Sequence, residues 1–271
     1  VNQPLVSVLM PVYNGEEFVG KAIECILGQT YQNLELLIAN DASTDGSAAI
    51  LESFAAQDSR VVVIDNPVNL YIAGNRNMLM SRARGKYIAW ADADDESVPT
   101  RLERQVAFLE ANPDVAMCGG DLEIFGNTSA NGQVRAYPRT DVEIRRKIFR
   151  YVPLAQPAAM VRTEAIRAVG EFDLSTPPAE DLDMLFRIGS RYRLGNVEGV
   201  VIRYRDHATS ATYKRLRTIE KVSVRSRMRN FANPAYSAGV ADRLYNVAHW
   251  LSIWVMPPKW KITLFNYLRN S

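Results

Sequence analysis

Four short apolar runs constrain the fold of this 271-residue chain more than any other feature: residues 5–10, 34–39, 61–64 and 87–91. Each has the length of a buried strand, and they stop at Pro11, Asn40, Asp65 and Asp92. Between them apolar residues return at helical spacing: Phe18, Val19, Ala22, Ile23, Ile26 and Leu27, then Ile50, Leu51 and Phe54, then a segment over 73–84. Strands and helices alternating at this spacing imply parallel strands joined by crossover helices. Ligands gather at the carboxyl ends of such strands. Three of those ends carry polar clusters, Tyr13-Asn14, Asp41-Ala42-Ser43 and Asp92-Ala93-Asp94-Asp95, so the three loops are expected side by side.

The last cluster is the most unusual. An apolar strand runs directly into Asp92, Asp94, Asp95 and Glu96, with Pro99 and an amphipathic helix pattern behind. Carboxylates this close raise one another's pKa unless a cation joins them, and a divalent ion carrying a phosphate group would do so. A solvated acidic helix start, with Pro99 near the first turn, accounts for the same residues. Local sequence leaves both readings open.

Beyond a helix at 101–111 the pattern changes. Segments 115–118, 121–125 and 133–137 read as strands around a Gly/Asn/Ser loop, an antiparallel portion. A short helix over 141–149 and a strand over 158–162 come next, then a helix capped by Thr163 and stopped at Gly170. A helix over 181–190 and a strand over 196–204 complete this part, with Pro177-Pro178 shaping the approach to the former. From Tyr213 the chain reads helical: a basic segment over 214–231, then one carrying Tyr236, Val240, Leu244, Val247, Leu251 and Trp254 that Pro257-Pro258 ends. A last stretch holds Trp260, Leu264, Phe265 and Tyr267.

The net charge of +2 hides an asymmetry. From Arg203 onward 13 Lys and Arg stand against 3 Asp and Glu, leaving 19 against 27 in residues 1–202. A basic tail on an acidic body fits an anionic surface, or simply a solvated helix face. No base-stacking pattern supports nucleic acid as the partner. No apolar run of ~18 residues makes a membrane-spanning helix, and the start Val1-Asn2-Gln3-Pro4 does not read as a signal peptide. Cys25 and Cys118 lie far apart in apolar segments with no CxxC pattern, as core cysteines in a reducing compartment would. The expectation is a cytoplasmic protein, with peripheral attachment of its tail to the inner face of the cell membrane as one reading of the basic segment.

Residues 5–125 resemble an inverting family 2 glycosyltransferase with the GT-A fold. The resemblance rests on ordered motifs: Val6-Ser7-Val8-Leu9-Met10-Pro11-Val12-Tyr13-Asn14, Asn40-Asp41-Ala42-Ser43-Thr44-Asp45, Asn69 through Asn77, and Gly85-Lys86-Tyr87-Ile88-Ala89-Trp90-Ala91-Asp92-Ala93-Asp94-Asp95. It continues more loosely to about residue 210 through Val169-Gly170-Glu171-Phe172-Asp173, Glu180-Asp181 and Tyr204-Arg205-Asp206-His207. It implies an α/β fold, a Rossmann-like mixed sheet flanked by helices. Residues 1–112 would form a nucleotide-sugar donor half and 113–210 an acceptor half, with 211–271 a helical extension outside the resemblance.

The same resemblance implies roles. Pro11, Val12 and Tyr13 would line a uracil pocket, Tyr13 stacking on the ring. Asp41 would accept the imide hydrogen, although it could instead cap a helix starting near Ser43. Arg76 would lie near base and phosphates, where a guanidinium forks onto oxygen pairs. Asp92 would face the ribose and Asp94 would bind a Mn2+ or Mg2+ ion on the diphosphate, with His207 a further metal or phosphate contact. Asp181 would be the general base and Glu180 its acceptor-side support, where the rival role is capping of a helix. Asp95 and Glu96 are left to start the next helix. Tyr71 departs from the pattern, standing where the family commonly has Gly.

The resulting expectation is a metal-dependent inverting transferase moving a sugar, hexosyl or N-acetylhexosaminyl, from a UDP-sugar to a cell-surface polysaccharide or lipid-linked glycan. Rivals are a nucleotide-sugar- or carbohydrate-binding module without chemistry, and a nucleotidyltransferase. The latter usually has a Gly-rich basic loop after its first strand, and Pro11-Val12-Tyr13-Asn14 is not one. The tail has three readings: an anionic membrane surface, a homo-oligomer interface along its apolar stripe, or packing on the catalytic domain.

Overall fold

The first half follows the period of its apolar residues. Strands β1 (Val6–Val12), β2 (Leu34–Asn40), β3 (Val61–Asp65) and β4 (Tyr87–Trp90) alternate with helices α1 (Val19–Leu27), α2 (Ser47–Gln57) and α3 (Tyr71–Arg82). All four strands are parallel, in the order β3-β2-β1-β4. The computed structural model describes residues 3–127, 130–175, 179–207 and 211–256.

The second half reverses direction. The further elements are β5 (Glu96–Ser97), α4 (Arg101–Ala111), β6 (Val115–Gly126), β7 (Val134–Arg135) and α5 (Asp141–Lys147). They continue with β8 (Met160–Arg162), α6 (Thr163–Val169), α7 (Glu180–Gly189), β9 (Arg193–Asp206), α8 (Ala211–Arg229) and α9 (Val240–Val255). The sheet runs β3-β2-β1-β4-β8-β6-β9-β5, with β7 on β6. β8 is antiparallel to both β4 and β6, while β6 and β9 are parallel.

Both faces of the parallel strands are covered, as uninterrupted apolar runs require. Leu9, Leu37, Ile88 and Trp90 enter a core with Phe149, Phe172 and Phe186 on one face. Val8, Met10, Leu36, Ile38 and Ala89 meet α1 and α4 residues Ile23, Ile26, Leu102 and Leu109 on the other. Cys118 is buried, Cys25 half-buried, and both are free.

Several expectations are corrected. Asp95 and Glu96 do not start a helix: Glu96 and Ser97 form β5, antiparallel to β9, and α4 begins at Arg101. The two strands expected over 115–125 are one, β6, broken only by shifts of register against β9. Thr163 does not cap α6, because its hydroxyl donates to the Gly85 carbonyl at 2.6 Å. Helix α6 does stop at Gly170, whose φ of 86° ends it. Tyr236 precedes α9 and is buried against Phe149 and Phe186. The Pro177-Pro178 pair and the stretch from Trp260 lie outside the described residues.

Candidate active site

The loops after β1, β2 and β3 are tied together by side chains that bind backbone. The Asn14 N–H donates to Ser43 Oγ at 3.1 Å, and Asn14 Oδ1 accepts the Thr44 N–H at 2.8 Å. The Asp41 N–H donates to the Val12 carbonyl at 2.8 Å. Asp41 is buried, and its carboxylate gathers the chain entering α3. Oδ1 accepts from Asn66 Nδ2 at 3.1 Å and the Leu70 N–H at 2.7 Å, while Oδ2 accepts the Tyr71 N–H at 3.1 Å. It therefore orders the start of α3 and not a helix near Ser43. About four lone-pair positions exist on a carboxylate, so one acceptor position is left. Tyr13 stands at the end of β1 with its ring 55% exposed, whereas Val12 is a core residue and Pro11 half-buried.

Past β4 the acids divide by environment. Asp92 and Asp94 keep 31% and 36% of their side chains exposed. Burial raises the Asp92 pKa, Arg76 opposes the rise, and Asp94 adds to it. Asp95 is buried: Oδ1 accepts the Arg205 N–H at 2.8 Å, and Oδ2 has no partner among the described residues. Burial, then its acidic neighbours, push its pKa well above the ordinary range. Behind this group lies Arg101, fully buried, donating to the Trp90 carbonyl at 2.7 Å and Ser97 Oγ at 2.9 Å; burial brings its pKa down to about 10.

Asp94 Oδ2 lies 3.0 Å from His207 Nε2, at the end of β9. No group of three His, Cys, Asp or Glu side chains that could hold a metal occurs among the described residues. A carboxylate and an imidazole in contact nevertheless suit a divalent ion whose remaining ligands come from a diphosphate and water. Asp94 and His207 fit that part.

The part of the chain beyond α4 contributes the first turn of α7. Glu180 is buried, and its pKa is raised by burial against the pull of Arg76. Asp181 is half-buried, with Oδ1 accepting the Leu182 N–H at 2.7 Å. Burial raises its pKa, opposed by Arg76 first and more weakly by Arg227. Arg76, expected near base and phosphates, is buried, Nη1 donating to Glu180 Oε1 at 3.0 Å and Nη2 lying 3.7 Å from Asp92 Oδ1.

Three residues escaped the sequence. Arg205 Nε donates to the Asp94 carbonyl at 2.9 Å, fixing the acidic loop from β9. Arg101 stood in an ordinary amphipathic pattern. Arg227 sat in a basic segment, yet it is buried, with Nε donating to the Ile148 carbonyl at 3.2 Å. Its spacing of three from fully buried Val224 was the available signal.

Residues 7–170 match the sequence profile of the family described as Glycosyl transferase family 2. The UDP-Glc:alpha-D-GlcNAc-diphosphoundecaprenol beta-1,3-glucosyltransferase WfgD of Escherichia coli is 36% identical over 129 residues, which are 48% of this chain and 50% of that one. Among solved structures, TarS 1–349 of S. aureus in complex with UDP-GlcNAc aligns at TM-score 0.69 and 16% identity, covering 92% of this chain and 72% of that one. The mannosyltransferase PcManGT of Pyrobaculum calidifontis, in complex with GDP-Man and Mn2+, aligns at TM-score 0.66 and 16% identity over 100% of this chain and 82% of its own. Those two likenesses establish the fold, a mixed sheet of the GT-A type flanked by helices with a helical C-terminal part.

Proposed function

The chain belongs to glycosyl transferase family 2, and from that premise we propose that it moves a sugar, with inversion, from a UDP-sugar to a hydroxyl of a lipid-linked or cell-surface glycan. The observation that carries this reading is the meeting of Asp92 and the Glu180-Asp181 pair, 88 and more residues apart in sequence, around the single guanidinium of Arg76. A carboxylate of the donor loops and the pair that includes the acceptor-side base are thereby gathered at one charge.

In this reading Tyr13 stacks on the base and Asp41 accepts its imide N–H. The single acceptor position left on Asp41 suits uracil, which offers one N–H there, better than guanine, whose adjacent donors need two. Asp181 takes the acceptor proton while the acceptor oxygen bonds to the anomeric carbon; the bond to the diphosphate oxygen breaks on the opposite face, and its electron pair leaves with the diphosphate. The raised Asp181 pKa makes it a better base than an ordinary carboxylate. Asp94 and His207 would hold a Mn2+ or Mg2+ ion, which would supply positive charge against the departing diphosphate. A screen of nucleotide sugars, following nucleoside-diphosphate release, tests the reading. UDP as product supports it; pyrophosphate, or no turnover with any donor, overturns it.

The extension supports attachment to an anionic membrane, where a lipid-linked acceptor would be found. Val240, Leu244, Val247, Leu251 and Trp254 form one exposed apolar stripe on α9 rather than packing on the catalytic domain. Cations of α8 flank it: Lys221 Nζ lies 4.2 Å from the Trp254 ring and Arg225 Cζ 5.4 Å from that of Trp250. Apolar, aromatic and basic groups together suit a headgroup interface; basic helices of two copies would repel. No helix among the described residues is long and apolar enough to cross a membrane. Salt-sensitive sedimentation with phosphatidylglycerol vesicles, lost in Leu251→Glu, is expected. Concentration-dependent dimerisation without vesicle binding would favour the oligomer interface instead.

A further inference from the structure

Arg76 and its neighbour Asn77 grip the segment that leads to Asp181 from both ends. Asn77 Nδ2 donates to the Phe172 carbonyl at 2.9 Å, and the Phe172 N–H donates to Asn77 Oδ1 at 2.8 Å. Eight residues on, Arg76 Nη1 holds Glu180 Oε1 at 3.0 Å. The Arg76 guanidinium lies 5.7 Å from the ring centres of both Trp90 and Phe172, which themselves meet edge to face at 5.4 Å. One turn of a donor-half helix thus fastens both anchors of an acceptor-half segment, and the second anchor is joined directly to Asp181.

Burial argues against a ligand role for this arginine. Arg76 is 5% exposed and Glu180 4%, so a diphosphate would have to displace a buried carboxylate to take the same nitrogen. The pair carries its own cost: Arg76 Nε and Glu180 Oε2 are buried without a partner among the described residues. A buried ion pair with unmet atoms is weak evidence for stability and is better understood as a device that fixes geometry.

We infer that Arg76 and Asn77 act as positioning residues that fasten Phe172 and Glu180 to the donor half and so set Asp181 against the donor. This rests on Asp181 being the base. Asp181 is faced by Arg76 from α3, Arg227 from α8, Asp92 from the loop after β4 and Glu180 beside it. Arg76 is the larger of the two cationic influences on it. Removing that charge leaves three carboxylates with less compensation, whereas removing Asn77 loosens the segment and leaves the charge in place.

The test uses the full chain and compares Arg76→Gln, Arg76→Lys, Asn77→Ala and the double variant Arg76→Gln/Glu180→Gln, which removes both members of the buried pair if the single change fails to fold. UDP affinity is measured calorimetrically, and kcat is followed against pH. Arg76→Gln, or the double variant in its place, is expected to lower kcat about 100-fold, the scale of a misplaced catalytic group. UDP affinity should stay within about threefold, since uniform binding is untouched. The acid limb of kcat should move to higher pH in Arg76→Gln and stay in place in Arg76→Lys and Asn77→Ala. Asn77→Ala should lower kcat about 10-fold through geometry alone. A fall in UDP affinity of about tenfold or more with an unmoved acid limb would assign Arg76 to the donor and overturn the inference. Asp181→Asn, run alongside, separates the two levels: full activity there removes the base assignment itself, while its inactivity with an unchanged Arg76→Gln removes only the clasp.

Discussion

The loops after β1 and β2 and the start of α3 store strain in the backbone, whereas the junction of the first half with the second stores it in buried charge. Asn14, Ala42 and Tyr71 have φ of 50°, 56° and 57°, the first two in the loops after β1 and β2 and the third at the first residue of α3. Among the described residues beyond 112, positive φ occurs only at glycines: Gly126, Gly132, Gly170 and Gly199. At the junction the unfavourable groups are ionisable ones from both sides of it: Asp92 and Asp95 after β4, and Glu180 and Asp181 at the start of α7, all raised in pKa by burial. The lesson concerns what each part must hold. In the proposed function a rigid planar base would be held by fixed backbone and rings, and a proton acceptor by the field around it.

The largest effect is expected where the charge is stored. Asp181→Asn keeps the shape of the side chain but cannot accept the proton, so kcat should fall roughly 10³-fold, with UDP affinity unchanged by calorimetry. The raised pKa also fixes a sign. Wild-type activity should fall as pH drops through a value above that of an ordinary aspartate, because the proposed base must be ionised. For stability the sign is opposite: the folded chain binds that proton more tightly than the unfolded chain, so stability contributed by this group is lost as pH rises through the raised pKa.

The next test lies where the two regions share a ligand set. Asp94 comes from the donor side and His207 from the end of β9. Chelation with EDTA should lower kcat roughly 100-fold, and Mn2+ or Mg2+ should restore it, because the ion supplies several kcal/mol of charge stabilisation. Unchanged turnover in EDTA would leave the Asp94–His207 contact as an ordinary polar pair.

What could be read from the sequence follows the same division. The donor half was legible because its signals are local: strand, loop and helix repeat on short spacings, and Asn14, Ser43 and Asp41 bond within neighbouring loops. Asp95 and Glu96 were misread because the partner that makes Glu96 a strand residue, Arg203, is 107 positions away. The ion pair of Arg76 was not legible because nothing near it in sequence announces Glu180, 104 positions on. Helix α9 was legible from its spacing. Its exposure was not, since the same stripe would serve a buried helix.

A middling effect is expected at Asp41, where the donor half is held by hydrogen bonds. Asp41→Ala would strand the Leu70 N–H, while the Tyr71 N–H keeps Asn69 Oδ1 at 2.9 Å and the Asn66 amide keeps Asn75 Oδ1 at 2.6 Å. About 1–3 kcal/mol of stability should be lost for the one unmet donor, a fall of several degrees in Tm for a chain of this size. The donor KM should rise about tenfold, the worth of one hydrogen bond to a charged acceptor. A lowered Tm with an unchanged KM would make Asp41 purely structural.

The smallest effect tests the strain directly. Tyr71 opens α3 with φ of 57°, a region costing an L-residue about 1–2 kcal/mol. Its ring is 64% exposed, so little packing is lost when it goes. Tyr71→Gly removes that strain but gives the unfolded chain more freedom, about 0.5–1 kcal/mol in the other direction. The balance is a gain of up to about 1 kcal/mol, or a Tm higher by about 2–4 °C. The Tyr71 N–H still reaches Asp41 in the variant, because backbone makes that bond. If instead Tyr71→Gly lowers Tm, the strain at this loop is compensated by contacts of the ring, and the donor half is held by side-chain packing as much as by its backbone.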